Sequence, residues 1–146
     1  MTRRNRDTLT LDLFEVPQPV TPLPSSMDYR FEVSGLVGLA LKESDCDRFE
    51  VASRMSRLSG HEVSKYMLDA WSSEGRDAYN MPFYQAAVIE TACNTHVFTN
   101  WLADKRGGRL LIGKETLNAE LGKLERLKED AAKKIRELKK MMGEME

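Results

Sequence analysis

Apolar positions recur with a helical period from residue 29 to about residue 106, and again from about residue 114 to the end. Five short segments can be drawn through the first stretch. Phe31, Leu36, Val37, Ala40 and Leu41 share one side of a segment over residues 31–43. Ser44 or Asp45 is placed to cap a second segment running to residue 59, with Phe49, Ala52, Met55 and Leu58 at three-residue spacing, and Gly60 breaks it. A third, over residues 62–73, turns Val63, Met67, Ala70 and Trp71 inward and ends near Gly75. Asn80 ahead of Pro82 opens a fourth, which carries Phe83, Ala86, Ala87, Ile89 and Ala92. Thr95 is positioned to cap a fifth, with Phe98, Trp101 and Leu102. Gly107-Gly108 reads as a turn, and Gly113 as a boundary.

Beyond that boundary the chain has no proline. Leu117, Leu121, Leu124, Lys128, Ala131, Ile135, Leu138 and Met142 follow alternating steps of four and three, continued by Met145. This is a coiled-coil seam of about four heptads with one charged occupant, Lys128. Its bland alternative is a long helix folded back on the domain before it. The sustained seam favours self-association into a homodimer or higher homo-oligomer. Lys128 costs stability there, in return for a defined register or oligomer state.

The other end is different. Pro17, Pro19, Pro22 and Pro24 remove amide donors and restrict the residues before them, so residues 1–28 are expected to form a disordered, polyproline-like arm. Ahead of the prolines, Leu9, Leu11, Leu13 and Phe14 make a short apolar run. The expected organisation is therefore all-α: an arm over 1–28, a helical domain over 29–113 and a coiled-coil helix over 114–146.

Composition narrows the function classes. The 146 residues carry 22 basic and 23 acidic side chains, for a formal net charge of −1, so nucleic-acid binding would need a local basic surface. Mean hydropathy of −0.49 and the lack of a long apolar run argue against a membrane span. Arg3, Arg4 and Arg6 are followed by no apolar secretory core. Two cysteines, Cys46 and Cys93, make no disulfide framework, which points to a reducing bacterial cytoplasm.

Catalytic chemistry is nearly absent. Cys93 and His96 lie three apart, but no second ligand pair follows at zinc spacing, and a buried cysteine beside a surface histidine is the simpler reading. No phosphate-binding glycine loop or nucleophile elbow occurs. The expectation is a non-enzyme without cofactor or metal.

The informative constellation is the helix pair around Gly60. Ala52 is small enough for a second helix to cross closely, and Val63 and Met67 can pack back on Ala52 and Met55. Ser64, Lys65, Tyr66, Leu68 and Asp69 would then face outward, where a helix can enter a major groove and reach base edges. Arg54, Arg57 and His61 would touch phosphates. The bland reading is an ordinary α-hairpin. Charge weighs on that side, because residues 44–80 hold seven acids and five bases.

Five helices with such a pair at the second and third resemble the lambda-repressor-like DNA-binding fold. The stretch from Leu58 through Ser-Gly-His-Glu-Val-Ser-Lys-Tyr-Met-Leu-Asp-Ala to Trp71 resembles its recognition-helix region. Ala78-Tyr-Asn-Met-Pro-Phe83, Trp101-Leu-Ala103 and Gly107-Gly-Arg-Leu-Leu-Ile112 are similar to small regulators of Mu-like transposable phages and prophages. The resemblance spans residues 29–113 and implies a sequence-specific double-stranded DNA-binding protein, a transcriptional regulator of a phage or mobile element. The turn is longer than the tight form.

A different class competes. Thr10-Leu11-Asp12-Leu13-Phe14 resembles the bacterial sliding-clamp-binding peptide, with Thr10 where that peptide has Gln. Leu11, Leu13 and Phe14 would fill an apolar pocket on a partner, making the chain an interaction adaptor. Alternatively they dock on the protein's own core. Deleting residues 1–28 separates the two classes: an adaptor loses its partner, whereas a DNA reader keeps most of its affinity.

Overall fold

Where the helices begin and end follows from local chemistry. The computed structural model describes residues 16–76 and 78–144, and their regular structure is helical. In chain order the α-helices are α1 (Arg30–Glu43), α2 (Arg48–Ser59), α3 (Lys65–Ser72), α4 (Ala86–Cys93), α5 (Val97–Lys105) and α6 (Lys114–Glu144). Single 3-10 turns occupy Glu74–Arg76 and Phe83–Gln85. Leu11, Leu13, Phe14 and Met145 lie outside the described residues.

Several ends differ from expectation. Asp47, rather than Ser44 or Asp45, caps α2: its carboxylate accepts from the Glu50 amide at 2.9 Å. The third helix starts at Lys65, because Ser64 caps it by accepting from the Met67 amide at 3.2 Å. Thr95 does not cap α5; its hydroxyl donates to Glu43 at 2.7 Å and ties the loop to the end of α1. Phe83 sits exposed in a 3-10 turn, so the fourth helix begins only at Ala86.

Residues up to Arg109 group as one unit and those from Leu110 as another. In the first, α1 packs on α3, α4 and α5, and α2 packs on α3 and α4. One core results, from Val37, Ala40 and Leu41 of α1, Val51, Ala52 and Met55 of α2, and Val63, Leu68, Trp71, Ile89, Ala92, Cys93 and Phe98. Phe49 and Leu58, expected inward, are 66% and 56% exposed. The reason is geometric. Three-residue spacing slips by about 60° per step around a helix, so a run of four such positions cannot share one face. Val51, Ala52 and Met55 hold the centre of the stripe and the two ends are left on its flanks. Phe31, at the first turn of α1, is likewise exposed.

The proline-rich segment is pinned at one place. Pro19 bridges Arg106, and the Val20 amide donates to the Lys105 carbonyl at 3.0 Å. Gly107 makes this approach possible. Its φ is +75°, and a Cβ there would lie 2.5 Å from the Pro19 nitrogen. Gly107→Ala is therefore expected to cost about 1–2 kcal/mol for the left-handed backbone alone and to push the segment away. Faster amide exchange at Val20, with α1–α4 unchanged, is the readout; unchanged exchange would contradict the contact.

In the second unit, none of the described α6 residues is buried. The Thr116 hydroxyl donates to the Leu111 carbonyl at 3.2 Å, and its amide donates to that of Gly113 at 3.1 Å, closing the helix start.

Candidate nucleic-acid interface

The loop between α2 and α3 is tied at its base by serines. Ser56 Oγ accepts from the Val63 amide at 2.8 Å and lies 2.9 Å and 3.0 Å from the Ala52 and Val63 carbonyls. Ser59 Oγ donates to the Met55 carbonyl at 2.8 Å and accepts from the His61 amide at 3.3 Å. The loop carries no hydrophobic anchor except Val63, so these bonds set its path. Val63 drops into the core, and α3 then crosses against α1 and α2.

Its rotation is not the expected one. Leu68, assigned to the outward face with Ser64, Lys65, Tyr66 and Asp69, is fully buried. Leu68 and Trp71 define the inward side, Met67 and Ala70 fall on intermediate positions, and the buried stripe is turned by most of one residue step, about 100°. Ser64 is consumed by its cap. What remains outward is Tyr66, 79% exposed, with Lys65 and Asp69 beside it.

The charges of this surface are paired. Lys65 Nζ lies 2.8 Å from Asp69 Oδ2, an i,i+4 pair. Arg48, at the first position of α2, reaches the other oxygen of Asp69 at 2.6 Å and donates to Ser72 Oγ at 3.1 Å. The Lys65 ammonium, then the Arg48 guanidinium, hold the Asp69 carboxyl below its usual range. Arg48 therefore bridges α2 to α3. This role was not legible in the sequence, where the two residues stand far apart.

The expected phosphate contacts divide. Arg54 is turned toward the end of α4: its half-exposed guanidinium donates to the Ala92 carbonyl at 3.1 Å and reaches Asp45 and Glu50 at 3.4 Å each. It braces α2 against the end of α4. Arg57 is exposed and 3.6 Å from Glu50, a loose pair. His61 is exposed in the loop.

Elsewhere, Val33, Met81, Phe83, Ala86, Phe98, Trp101 and Leu102, with Asn80, line a mostly apolar depression of about 280 Å³. The Trp101 indole donates to Glu32 at 2.8 Å and its ring meets Tyr29 edge-on at 5.2 Å, so both tryptophans serve packing. Cys93 is buried, which pushes its thiol up to about 11, far from a reactive thiolate. Among the described residues no group of acidic, His or Cys side chains could hold a metal, and no helix is long and apolar enough to cross a membrane.

Comparison with known proteins returns no matching family model, no matching curated protein and no matching solved structure. What stands is that the regular structure of the described residues is helical and that they include a long C-terminal helix.

Proposed function

We propose that this chain is a sequence-specific double-stranded DNA-binding protein that works as an oligomer through α6, a transcriptional regulator of a phage or mobile element. The observation that carries the reading is the α2–α3 pair. Val51, Ala52 and Met55 pack with Val63, Leu68 and Trp71, and the outer face of α3, led by Tyr66, is left to solvent. A helix held in this way by its predecessor is the arrangement that enters a major groove. The mobile-element setting rests on the resemblance of residues 29–113 alone.

Docking uses Lys65, Tyr66 and Asp69 on α3, with Arg57 and His61 on the phosphates; Leu68 positions the helix from inside. The exposed Arg57–Glu50 pair does not forbid the phosphate contact. Exposed pairs contribute only about 0.2–1 kcal/mol each, so Arg57 exchanges Glu50 for a phosphate at little cost. The longer α6 brings the second copy that occupies the other half-site. Its exposed seam of Leu117, Leu121, Leu124, Lys128, Ala131, Ile135, Leu138 and Met142 pairs with another copy and imposes a symmetric site.

The test is selection of duplexes from a randomised library by the full chain at near-physiological salt, followed by sequencing. An enriched inverted repeat is the expected result. Arg57→Glu and Lys65→Glu should then weaken binding. For Arg57→Glu the slope of log affinity against log salt should become shallower by about 0.9, for the one phosphate left without its cation. If both variants fold and bind the enriched duplex as wild type does, the docking is wrong. If nothing is enriched, the adaptor reading through Leu11, Leu13 and Phe14 takes its place.

A further inference from the structure

The outer surface of α2 and α3 bears on which bases would be read. Phe49 and Tyr66 stand beside Lys65, whose ammonium lies 5.7 Å from the centre of the first ring and 5.9 Å from that of the second. Both rings are largely exposed. Single exposed aromatic side chains are ordinary. Two rings gathered around one cation are different, because together they make one aromatic patch that spans α2 and α3.

The polar inventory of this surface is narrow. Guanine is read chiefly by bidentate Arg or Lys, and adenine by bidentate Asn or Gln. Residues 60–72 contain no Arg, Asn or Gln. Their one lysine, Lys65, is engaged by Asp69 and the two rings, and Arg48 is engaged by Asp69 and Ser72. The centre of the surface is thus aromatic and charge-compensated, while Arg57 gives its edge an exposed cation. A groove floor of methyl groups flanked by phosphates has the complementary layout.

Resting on the DNA-binding reading above, we propose that Phe49 and Tyr66 are specificity-determining residues that recognise the C5-methyl groups of thymines in the major groove. The rings cover the methyls and exclude water from them. Lys65 steadies the rings and does not itself read a base.

Thymine and uracil differ in duplex DNA by that methyl alone, which allows a test on the wild-type chain. The duplex enriched from the randomised library is resynthesised with deoxyuridine for thymidine. Binding should weaken by roughly fourfold for each recognised methyl removed. In the folded Phe49→Ala, Tyr66→Ala double variant the thymine and uracil duplexes should bind alike. Equal binding of the two duplexes by the wild-type chain would overturn thymine reading and leave DNA binding intact. Failure of the folded chain to enrich any duplex would overturn the DNA-binding reading and this inference with it.

Discussion

Leu68→Ala is expected to destabilise the helical domain by roughly 3–5 kcal/mol, the upper part of the range for emptying a buried leucine site. Leu68 is fully buried, between core residues contributed by α1 and α2. Removing its branched end leaves a cavity that the helices packed against it, α1 and α2, cannot close without moving. A domain of this size is stable by only about 5–15 kcal/mol, so the loss takes a large share of it. Urea unfolding followed by tryptophan fluorescence is the measurement. Both tryptophans, Trp71 and Trp101, lie before α6, so the signal reports the domain and not the long helix. Leu68→Met keeps the volume and should cost less than about 1.5 kcal/mol. Were Leu68 on a solvent-facing surface instead, the alanine variant would stay within about 0.5 kcal/mol of wild type.

The second large effect is expected in α6. Its large apolar seam side chains are well exposed, from 53% at Ile135 to 70% at Leu117. A lone helix with that stripe in water has only intrinsic propensity and surface pairs such as Lys123–Glu120 at 3.8 Å to hold it. Pairing with a second copy buries the stripe. Lys128 interrupts it, so Lys128→Leu should strengthen association by roughly a hundredfold or more, from about 1.5–3 kcal/mol gained at each of two buried leucines. The Leu124→Lys, Ile135→Lys double variant should do the reverse, giving a monomer whose helical signal falls. Sedimentation equilibrium and far-ultraviolet dichroism across a dilution series read both changes. A wild-type chain that is monomeric at every concentration, with helicity independent of dilution, would sink the pairing.

Much of the helical layout was legible in the residues because it is decided locally. Gly60 ends α2 with φ +73°, a left-handed conformation that costs glycine nothing, and Gly113 precedes α6 in the same way at +61°. The seam repeat of α6 needs no neighbour to be read. Caps were less secure. Ser44, Asp45 and Asp47 are all suitable acceptors, and the choice of Asp47 depends on where Arg48 and Val51 must sit once α2 meets α3 and α4. Thr95 shows the same competition: a good cap by type, it is claimed by Glu43, 52 residues earlier in the chain.

The candidate interface was legible in position but not in detail. The pair of helices around Gly60, and the prominence of Lys65, Tyr66 and Asp69, come from sequence pattern. The burial of Leu68, the exposure of Phe49, the Arg48–Asp69 bridge and the bond from Arg54 to the Ala92 carbonyl do not. Each depends on a partner between 21 and 38 residues away, or on the rotation of a helix about its own axis.

The sequence by itself determined that this protein is built from helices, where glycines and prolines interrupt them, and which stripe of the last helix is apolar. Those properties depend on backbone conformations and spacings within a few residues. Only the tertiary structure decided which side of α2 and α3 faces the core and which charges are already paired. An eight-residue helix offers apolar side chains around much more than one face, and a turn of one residue step exchanges a buried leucine for an exposed one. Its neighbours choose among those rotations by how well the side chains pack, and that choice is not written in the helix alone.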